Sequence, residues 1–271
     1  MHSHSWVRQA ASRLLGVYFA ARDASQLLVG ESSSDYLAEA DVVFQLGKQF
    51  CLMLEGAHVE ANLASQLVKN LFFVGRALLP LFQAEVRQAA APEPASHMEE
   101  DSESEDEEGR DGEDEDAEGE DGSANGHAAA AAAAAPKRSG LLWTFKQLTF
   151  IARQEAVNTP AQTGRRECVF KWYAAMVQHM SSTPELLPRV LLTMVRGLYR
   201  TDECPKSPEG IKALAQDVGQ LVKGVVGSEA YLTAQSKAEQ EAVQARSSRK
   251  RKVAMDAITQ PALVCLKRRR R

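Results

Sequence analysis

Apolar residues recur along much of this chain at three- and four-residue steps, which is the spacing of amphipathic helices. Four such stripes follow one another in the C-terminal half. They are Leu141, Leu142, Phe145, Leu148 and Ala152; Val169, Tyr173, Met176, Val177 and Met180; Leu187, Val190, Leu191, Met194, Val195 and Leu198; and Ile211, Leu214, Val218, Leu221, Val222 and Val225. Because no helix can bury its own stripe, the four predicted helices must pack side by side.

Three more helices are predicted in the N-terminal half. The first is capped by Ser5, the second is stopped by Gly56, and the third begins near Val59 and is kinked or ended by Pro80. Their expected apolar positions are Trp6, Ala10, Leu14, Val17 and Tyr18; Leu37, Val43, Phe44, Phe50, Cys51 and Leu54; and Leu63, Leu67, Leu71, Val74 and Leu78. A first helix as apolar as this one needs a neighbouring helix on each side. We therefore expect the chain to be a C-terminal fragment of a longer helical stack.

Local sequence signals mark one helix start and one further helix near the C-terminus. Thr183 and Pro184 form a favoured helix start, in which a hydroxyl residue precedes a proline in the first turn. The segment at residues 229–246 is polar on all sides, so we expect a helix that is exposed or covered by a partner. Alternating apolar runs typical of β-strands are not evident in the sequence.

A highly acidic stretch separates the two helical halves. Residues 99–121 contain 16 acidic residues and one basic residue, and Ala128 to Ala135 form a polyalanine tract. Low hydrophobicity and high net charge predict a disordered insert, either a tolerated loop or an arm that attracts basic partners. Ser96, Ser102 and Ser104 each have a glutamate three residues later, which makes them candidate phosphorylation sites for acidophilic kinases.

These patterns predict an all-α protein. The expected architecture is a HEAT-like α-solenoid of helical hairpin repeats, interrupted by a disordered acidic insert and followed by a basic C-terminal tail. The predicted division is helical repeats at residues 5–88, the insert at 89–139, further helical repeats at 140–228, and a polar helix with the basic tail at 229–271.

Charge is segregated along the chain, and this points to polyanionic partners. The overall net charge is −4, yet the chain outside residues 99–121 has a net charge of +11. Two basic clusters lie near the C-terminus: Arg249, Lys250, Arg251 and Lys252, and Lys267, Arg268, Arg269, Arg270 and Arg271. Such clusters fit nuclear-import signals and also segments that lie along RNA phosphates. Few aromatic residues accompany them, so we expect contacts with the RNA backbone and shape rather than base stacking.

Catalytic and cofactor motifs are not recognised in the sequence. Phosphate-binding glycine loops, nucleophile elbows and zinc-protease motifs are not found, and the four cysteines, Cys51, Cys168, Cys204 and Cys265, have no metal-binding spacing. We therefore expect no enzymatic activity, no catalytic residues, no cofactor, no metal and no small-molecule substrate. No apolar run of membrane-spanning length and no signal-peptide pattern are recognised, so we expect a soluble intracellular protein without a membrane partner.

Residues 141–176 resemble the C-terminal region of a known family. The Leu-Leu-Trp-Thr-Phe-Lys start at Leu141, the Val-Asn-Thr-Pro turn at Val157 and the Phe-Lys pair at Phe170 are similar to the HEAT-repeat family of small-subunit processome component twenty, also called down-regulated-in-metastasis. Residues 5–19 look like one repeat of that family, and residues 249–261 look like its basic ending.

The resemblance implies a non-catalytic scaffold of nucleolar ribosome biogenesis. Its expected role is in assembly of the small-subunit processome or pre-ribosome and in processing of small-subunit rRNA. Its expected partners are pre-rRNA, small nucleolar ribonucleoprotein particles and other processome proteins, in the nucleus and nucleolus. The alternative, which rests on the residues alone, is a nuclear helical-repeat adaptor whose acidic arm binds basic proteins.

Overall fold

The computed structural model describes residues 4–21, 40–56, 61–90 and 140–259, and these residues form eight α-helices and a short 3-10 helix without a β-strand. The helices are α1 (Ser5–Ala20), α2 (Ala40–Glu55), α3 (Ala61–Ala90), α4 (Leu141–Asn158), α5 (Gly164–Met180), α6 (Leu187–Asp202), α7 (Glu209–Val226) and α8 (Ser228–Thr259). The all-α prediction is confirmed. The acidic insert, the polyalanine tract and the three candidate phosphorylation sites lie outside the described residues, and the four-part division of the chain stays a prediction.

The helices are stacked in two layers. Each main contact joins a helix to the next helix or to the next but one, so that α1, α3, α5 and α7 form one layer and α2, α4, α6 and α8 form the other. The pairs α2–α3, α4–α5 and α6–α7 pack as successive hairpins. This near-neighbour pattern is that of a helical-repeat solenoid, as predicted. The stack also continues from α2 to α4 and from α3 to α5, across the position of the insert.

The predicted apolar stripes form one continuous core in the C-terminal half. Every stripe residue predicted for α5 and α6 is buried, and so are four of the five predicted for α4. In α7 the buried stripe residues are Ile211, Val218 and Val222, while Leu214, Leu221 and Val225 pack against the core in part. The predicted stripe of α3 is buried as well. Helical periodicity therefore identified these faces correctly.

In α1 the predicted face is wrong. Trp6, Leu14 and Val17 are exposed, and the helix packs on α3 through Phe19 and the buried Ser12 instead. The reason lies in α3: the amide nitrogen of the buried Asn70 donates hydrogen bonds to the carbonyl and hydroxyl oxygens of Ser12, at 2.9 and 3.0 Å. Phe19 also stacks on Phe73 at a centroid distance of 5.9 Å. The N-cap position belongs to His4 rather than Ser5.

Helix α3 runs past Pro80 to Ala90, so the proline does not end it. Contrary to expectation, Ala61–Ala89 is long and apolar enough, by length and composition alone, to cross a membrane. Its buried residues Leu67, Leu71, Val74 and Leu78 contact the neighbouring helices of the stack. We therefore interpret α3 as a core helix of the solenoid.

Two helix boundaries differ from the predictions. Pro184–Leu186 forms a 3-10 helix, and α6 begins at Leu187 with Pro188 in its first turn, where a missing N–H costs no helical hydrogen bond. Helix α8 continues to Thr259, 13 residues beyond the predicted end at Arg246. The cluster Arg249–Lys252 is therefore helical rather than part of a tail. Its arginine and lysine side chains are good helix formers, which explains the extension.

A buried ion pair fixes the turn between α4 and α5. Arg166 is fully buried, and its Nε lies 3.3 Å from the carboxylate of the buried Glu155. The guanidinium also donates hydrogen bonds to the carbonyl oxygens of Pro160 and Gln162 and to the hydroxyl of Ser207, each at 2.6 Å. These bonds tie the α4–α5 turn to the α6–α7 loop, so they set the relative position of successive hairpins.

Candidate nucleic-acid interface

One of the two predicted basic clusters lies in the described residues. Arg249, Lys250, Arg251 and Lys252 are all exposed on α8. Successive residues of a helix point in directions about 100° apart, so these four side chains are distributed around α8 rather than along one side. Arg249 is the member of the cluster whose charge helps to lower the pKa of Arg153 of α4. The second cluster, Lys267 to Arg271, lies outside the described residues.

Helix α8 is held against α6 and α7 by a small apolar contact and a charged pair. Ala234 and Ala238 are buried in the contact. The guanidinium of Arg196 donates two hydrogen bonds to the carboxylate of Glu241, at 2.6 and 2.7 Å. The hydrogen bond from Arg196 holds the pKa of Glu241 below its ordinary value. Further along α8, Arg246 pairs with Glu203 at 3.4 Å. These contacts orient the helix that carries the basic cluster.

Arginines from three helices converge beside α8. Burial, together with the positive charges of Arg196, Arg200 and Arg249, lowers the pKa of Arg153. Arg153 belongs to α4, Arg196 and Arg200 belong to α6, and Arg249 belongs to α8. All three helices are in the same layer of the solenoid. We call the set of Arg153, Arg196, Arg200 and Arg249 the basic face, and Lys250, Arg251 and Lys252 add positive charge around the adjoining part of α8.

The basic face has a surplus of positive charge. Glu241 is the acidic residue that acts on Arg153 there, and both of its oxygens are already hydrogen-bonded to Arg196. Like charges held close together repel one another, and a bound anion relieves that repulsion. Guanidinium groups bind phosphates through paired N–H donors. The surplus of positive charge therefore suits an anionic partner such as a phosphate-rich polymer.

The sequence interpretation missed Arg153, Arg196 and Arg200, because each is a single arginine within or just after the sequence span of a core stripe and does not belong to a basic run. The helical spacing places each of these arginines outside the apolar stripe of its helix. This predicts the direction in which each side chain points, but it does not predict that α4 and α6 are adjacent in one layer. Only the stacking of α4, α6 and α8 brings these residues to Arg249.

Two thiols are unsuited to nucleophilic chemistry. Cys51 and Cys168 are buried, and burial raises the pKa of Cys51 to about 12 and that of Cys168 to about 11. Both remain protonated at neutral pH, whereas the thiolate is the reactive form. In the part of the chain that the structure describes, side chains do not form a group of three or more potential metal ligands.

Comparison with protein families gives a match over the C-terminal half. The family described as small subunit processome component 20 homolog, C-terminal, matches residues 129–271, which is just over half of the chain. The match contains α4 to α8 and therefore the whole basic face. The N-terminal resemblance, at residues 5–19, lies outside the matched range and stays a prediction.

Proposed function

The chain belongs to the family of small subunit processome component 20 homologs, and on that premise we propose that it is a non-catalytic helical-repeat scaffold that contacts pre-rRNA through its basic face. The family ties the chain to the small-subunit processome and so to ribosome biogenesis. A two-layer solenoid offers an extended surface on which an assembly can be organised. The finer assignment is to the assembly of early pre-ribosomal particles and the processing of small-subunit rRNA.

The observation that carries this proposal is the packing of α4, α6 and α8 in one layer, with the charges of Arg200 and Arg249 acting on Arg153. Each lysine or arginine that neutralises a phosphate releases condensed counterions, so a cationic surface gains affinity for RNA in proportion to its phosphate contacts. The rigid packing of α4, α6 and α8 holds these charges in place before binding, which reduces the entropy lost on association. Such contacts position RNA without reading its sequence.

The expected partners follow from the same assignment. They are pre-rRNA, small nucleolar ribonucleoprotein particles and other processome proteins, in the nucleus and nucleolus. The basic clusters at Arg249 to Lys252 and Lys267 to Arg271 serve nuclear import as well as RNA contact, because import receptors recognise short runs of lysine and arginine. The candidate phosphorylation sites Ser96, Ser102 and Ser104 add negative charge to an already acidic segment when modified.

Sedimentation of the tagged chain from cell extracts tests the proposal. We expect the chain in large particles that contain precursor rRNA, and ribonuclease treatment should move it to light fractions. A variant with Arg153→Gln, Arg200→Gln and Arg249→Gln should leave those particles, while a control with Arg189→Gln, Lys206→Gln and Lys223→Gln should remain. Recovery of the wild-type chain only in small, ribonuclease-resistant protein complexes would contradict the proposal and favour an adaptor for basic proteins.

A further inference from the structure

The outer side of α4 carries an unusual sequence of side chains. Apart from the terminal Asn158, the exposed positions of this helix are Trp143, Lys146, Phe150, Arg153 and Val157. Steps of three and four residues place them along one side of the helix. We call these five residues the α4 stripe. Aromatic and basic residues alternate along it, whereas the solvent side of a helix is usually polar throughout.

The apolar members of the stripe are well exposed. The exposed fractions are 36% for Trp143, 47% for Phe150 and 53% for Val157. Single exposed apolar side chains are normal on protein surfaces, but three along one side of a single helix make that side a candidate binding surface. The opposite side of α4 already packs into the core through Phe145, Leu148 and other buried residues. Most of the packing that holds α4 in the stack is therefore made by its other side.

One end of the stripe already holds an aromatic ring in a fixed orientation. Trp143 packs edge to face against Phe44 of α2, at a centroid distance of 5.5 Å. The ammonium group of Lys48 lies 4.6 Å from the centroid of the Phe44 ring and 5.8 Å from that of Trp143. A ring held in this way loses little entropy when a planar ligand stacks on it. The lysine places a positive charge next to that stacking surface.

The other end of the stripe joins the basic face. Arg153 belongs to both, and Arg196, Arg200 and Arg249 lie close enough to lower its pKa. Positive charge therefore lies along the whole stripe. Lys48 is beside Trp143, Lys146 is between Trp143 and Phe150, and Arg153 follows Phe150. An apolar protein surface would be a poor partner for such a row, because it would bury these charges without compensation. A polyanion that also carries flat rings is complementary to it.

We propose that the α4 stripe binds unpaired RNA by stacking bases on Trp143 and Phe150, while Lys146 and Arg153 contact the flanking phosphates. The inference rests on the proposed function, since it takes RNA as the partner, and adds to it a preference for single strands. Bases in a duplex are stacked on each other and are not available to protein rings, whereas unpaired bases stack on aromatic side chains in a sequence-tolerant way. Trp143 and Phe150 are about 10 Å apart along the helix, which separates the two stacked bases by more than one nucleotide step of about 3.4 Å.

Substitutions at Phe150 in the full chain test the stacking directly. The probes are a fluorescent 12-nucleotide single-stranded RNA and a duplex of the same sequence, with binding followed by anisotropy. Phe150→Leu keeps an apolar helix former but removes the ring, so single-strand binding should weaken about tenfold. Phe150→Tyr keeps the ring and should bind as the wild type does. Duplex affinity should change less than twofold in either variant.

Trp143 provides a second, spectroscopic readout. The chain has three tryptophans, of which Trp172 is buried and Trp6 lies on α1. In a Trp6→Phe background, Trp143 is the remaining exposed tryptophan, and stacking of uridine bases from poly(U) should quench its fluorescence. Leu232→Ala, which truncates an exposed apolar residue of α8 outside the stripe, is the matched control and should change neither readout.

The possible results separate this inference from the proposed function. If Phe150→Leu binds the single strand as tightly as the wild type, with Trp143 unquenched, base stacking is overturned and a protein becomes the better partner for the stripe. The proposed RNA contact would survive that result, provided binding still weakened with salt. If the wild-type chain binds neither RNA, the proposed function fails and the inference fails with it.

Discussion

Glu155 and Arg166 show how one buried pair can determine the geometry of a helical repeat. The carboxylate accepts hydrogen bonds from the backbone N–H groups of Arg165 and Arg166, at 3.1 and 2.9 Å, in addition to its pairing with the guanidinium. It therefore satisfies N–H groups that the start of α5 would otherwise leave without partners. The guanidinium in turn binds the two loops that join successive helices.

Removing the charge of Glu155 should be costly. Glu155→Gln leaves the guanidinium of Arg166 buried without a counter-charge, which typically costs about 3–5 kcal/mol of stability. The matched control is Glu167→Gln, which breaks the exposed pair between Glu167 and Lys171 and should cost less than about 1 kcal/mol. Urea denaturation followed by circular dichroism measures both values. Equal losses in the two variants would mean that the buried pair does not hold the turn.

Met176 tests the packing of α5 against α3, within one layer of the stack. Its side chain is fully buried on α5, and its sulfur lies 2.7 Å from the position that a Cβ at Gly75 of α3 would occupy. Met176→Ala should therefore leave a cavity and reduce the free energy of unfolding by about 2–5 kcal/mol. The measurement is again urea denaturation. A loss within the error of the method would show that α3 and α5 do not pack in this way.

At the residue scale, the sequence predicted burial better than it predicted contacts. The stripes of α5 and α6 were identified correctly because apolar residues at helical spacing have one low-energy arrangement, with that side against the core. Arg153, Arg196 and Arg200 could not be identified as a group. Their proximity depends on how α4 and α6 stack, and that is set by packing between helices rather than by spacing within one.

At the scale of elements, α8 links the fold to the candidate interface. It contacts the rest of the solenoid through α6 and α7, with two buried alanines and the Arg196–Glu241 pair. The apolar area in this contact is small. The Arg196–Glu241 ion pair therefore contributes a larger share of the interactions that position α8 than an ion pair in the core contributes to the packing of a core helix. Loss of the ion pair should therefore weaken the docking of α8 before it affects the other helices.

The docking of α8 should depend on pH through Glu241. Because Arg196 lowers the pKa of this carboxyl in the folded state, the pair contributes stability above the ordinary glutamate pKa, and the contribution is lost as pH falls through the lowered value. Glu241→Gln should remove it at all pH values. Hydrogen exchange of the α8 amides, corrected for intrinsic rates, should be faster in this variant at neutral pH and should converge with the wild type in acid.

The control for that experiment is Glu239→Gln, which changes an exposed carboxyl two residues away that has no ion pair in the described structure. Its exchange should match the wild type at neutral pH. Equal protection of α8 in Glu241→Gln and in the wild type would contradict the role given to the pair.

Element boundaries and faces were predictable only where one choice was strongly favoured. In α1 both sides are apolar enough to be buried, and the hydrogen bonds from Asn70 to Ser12 select the side that periodicity did not. In α8 the polar residues after Arg246 carry no stop signal such as glycine or proline, so the helix continues through the basic cluster. The local sequence pattern did not determine which side of α1 is buried or where α8 ends, and the structure differs from the prediction at both points.

At the scale of the whole molecule, the layered stack converts separated charges into one surface. The sequence showed that negative charge is concentrated at residues 99–121 and positive charge near the C-terminus. It did not show that a C-terminal helix joins the layer of α4 and α6, where Arg249 adds to the positive charge of their arginines. The all-α solenoid was predictable from the sequence, and the interface built on it was not.

The salt dependence of RNA binding tests the central claim most directly. The first variant changes Arg249, Lys250, Arg251 and Lys252 to Gln, which keeps α8 helical. The control removes the same charge outside the basic face, by changing Arg189, Lys206, Lys212 and Lys223 to Gln. Affinity for a single-stranded RNA is measured at several salt concentrations. Each residue that contacts a phosphate contributes about 0.7 to the slope of log affinity against log salt, so the slope should fall in the first variant by about 0.7 for each such contact and by about 3 at most.

The control should keep a slope close to that of the wild type, because its changes alter net charge but not the basic face. A fall of the slope in the first variant alone, together with weaker binding, is the result that this account predicts. An unchanged slope in the first variant, or an equal fall in both, would contradict it, because RNA would then not be held by Arg249 and the neighbouring cations of α8.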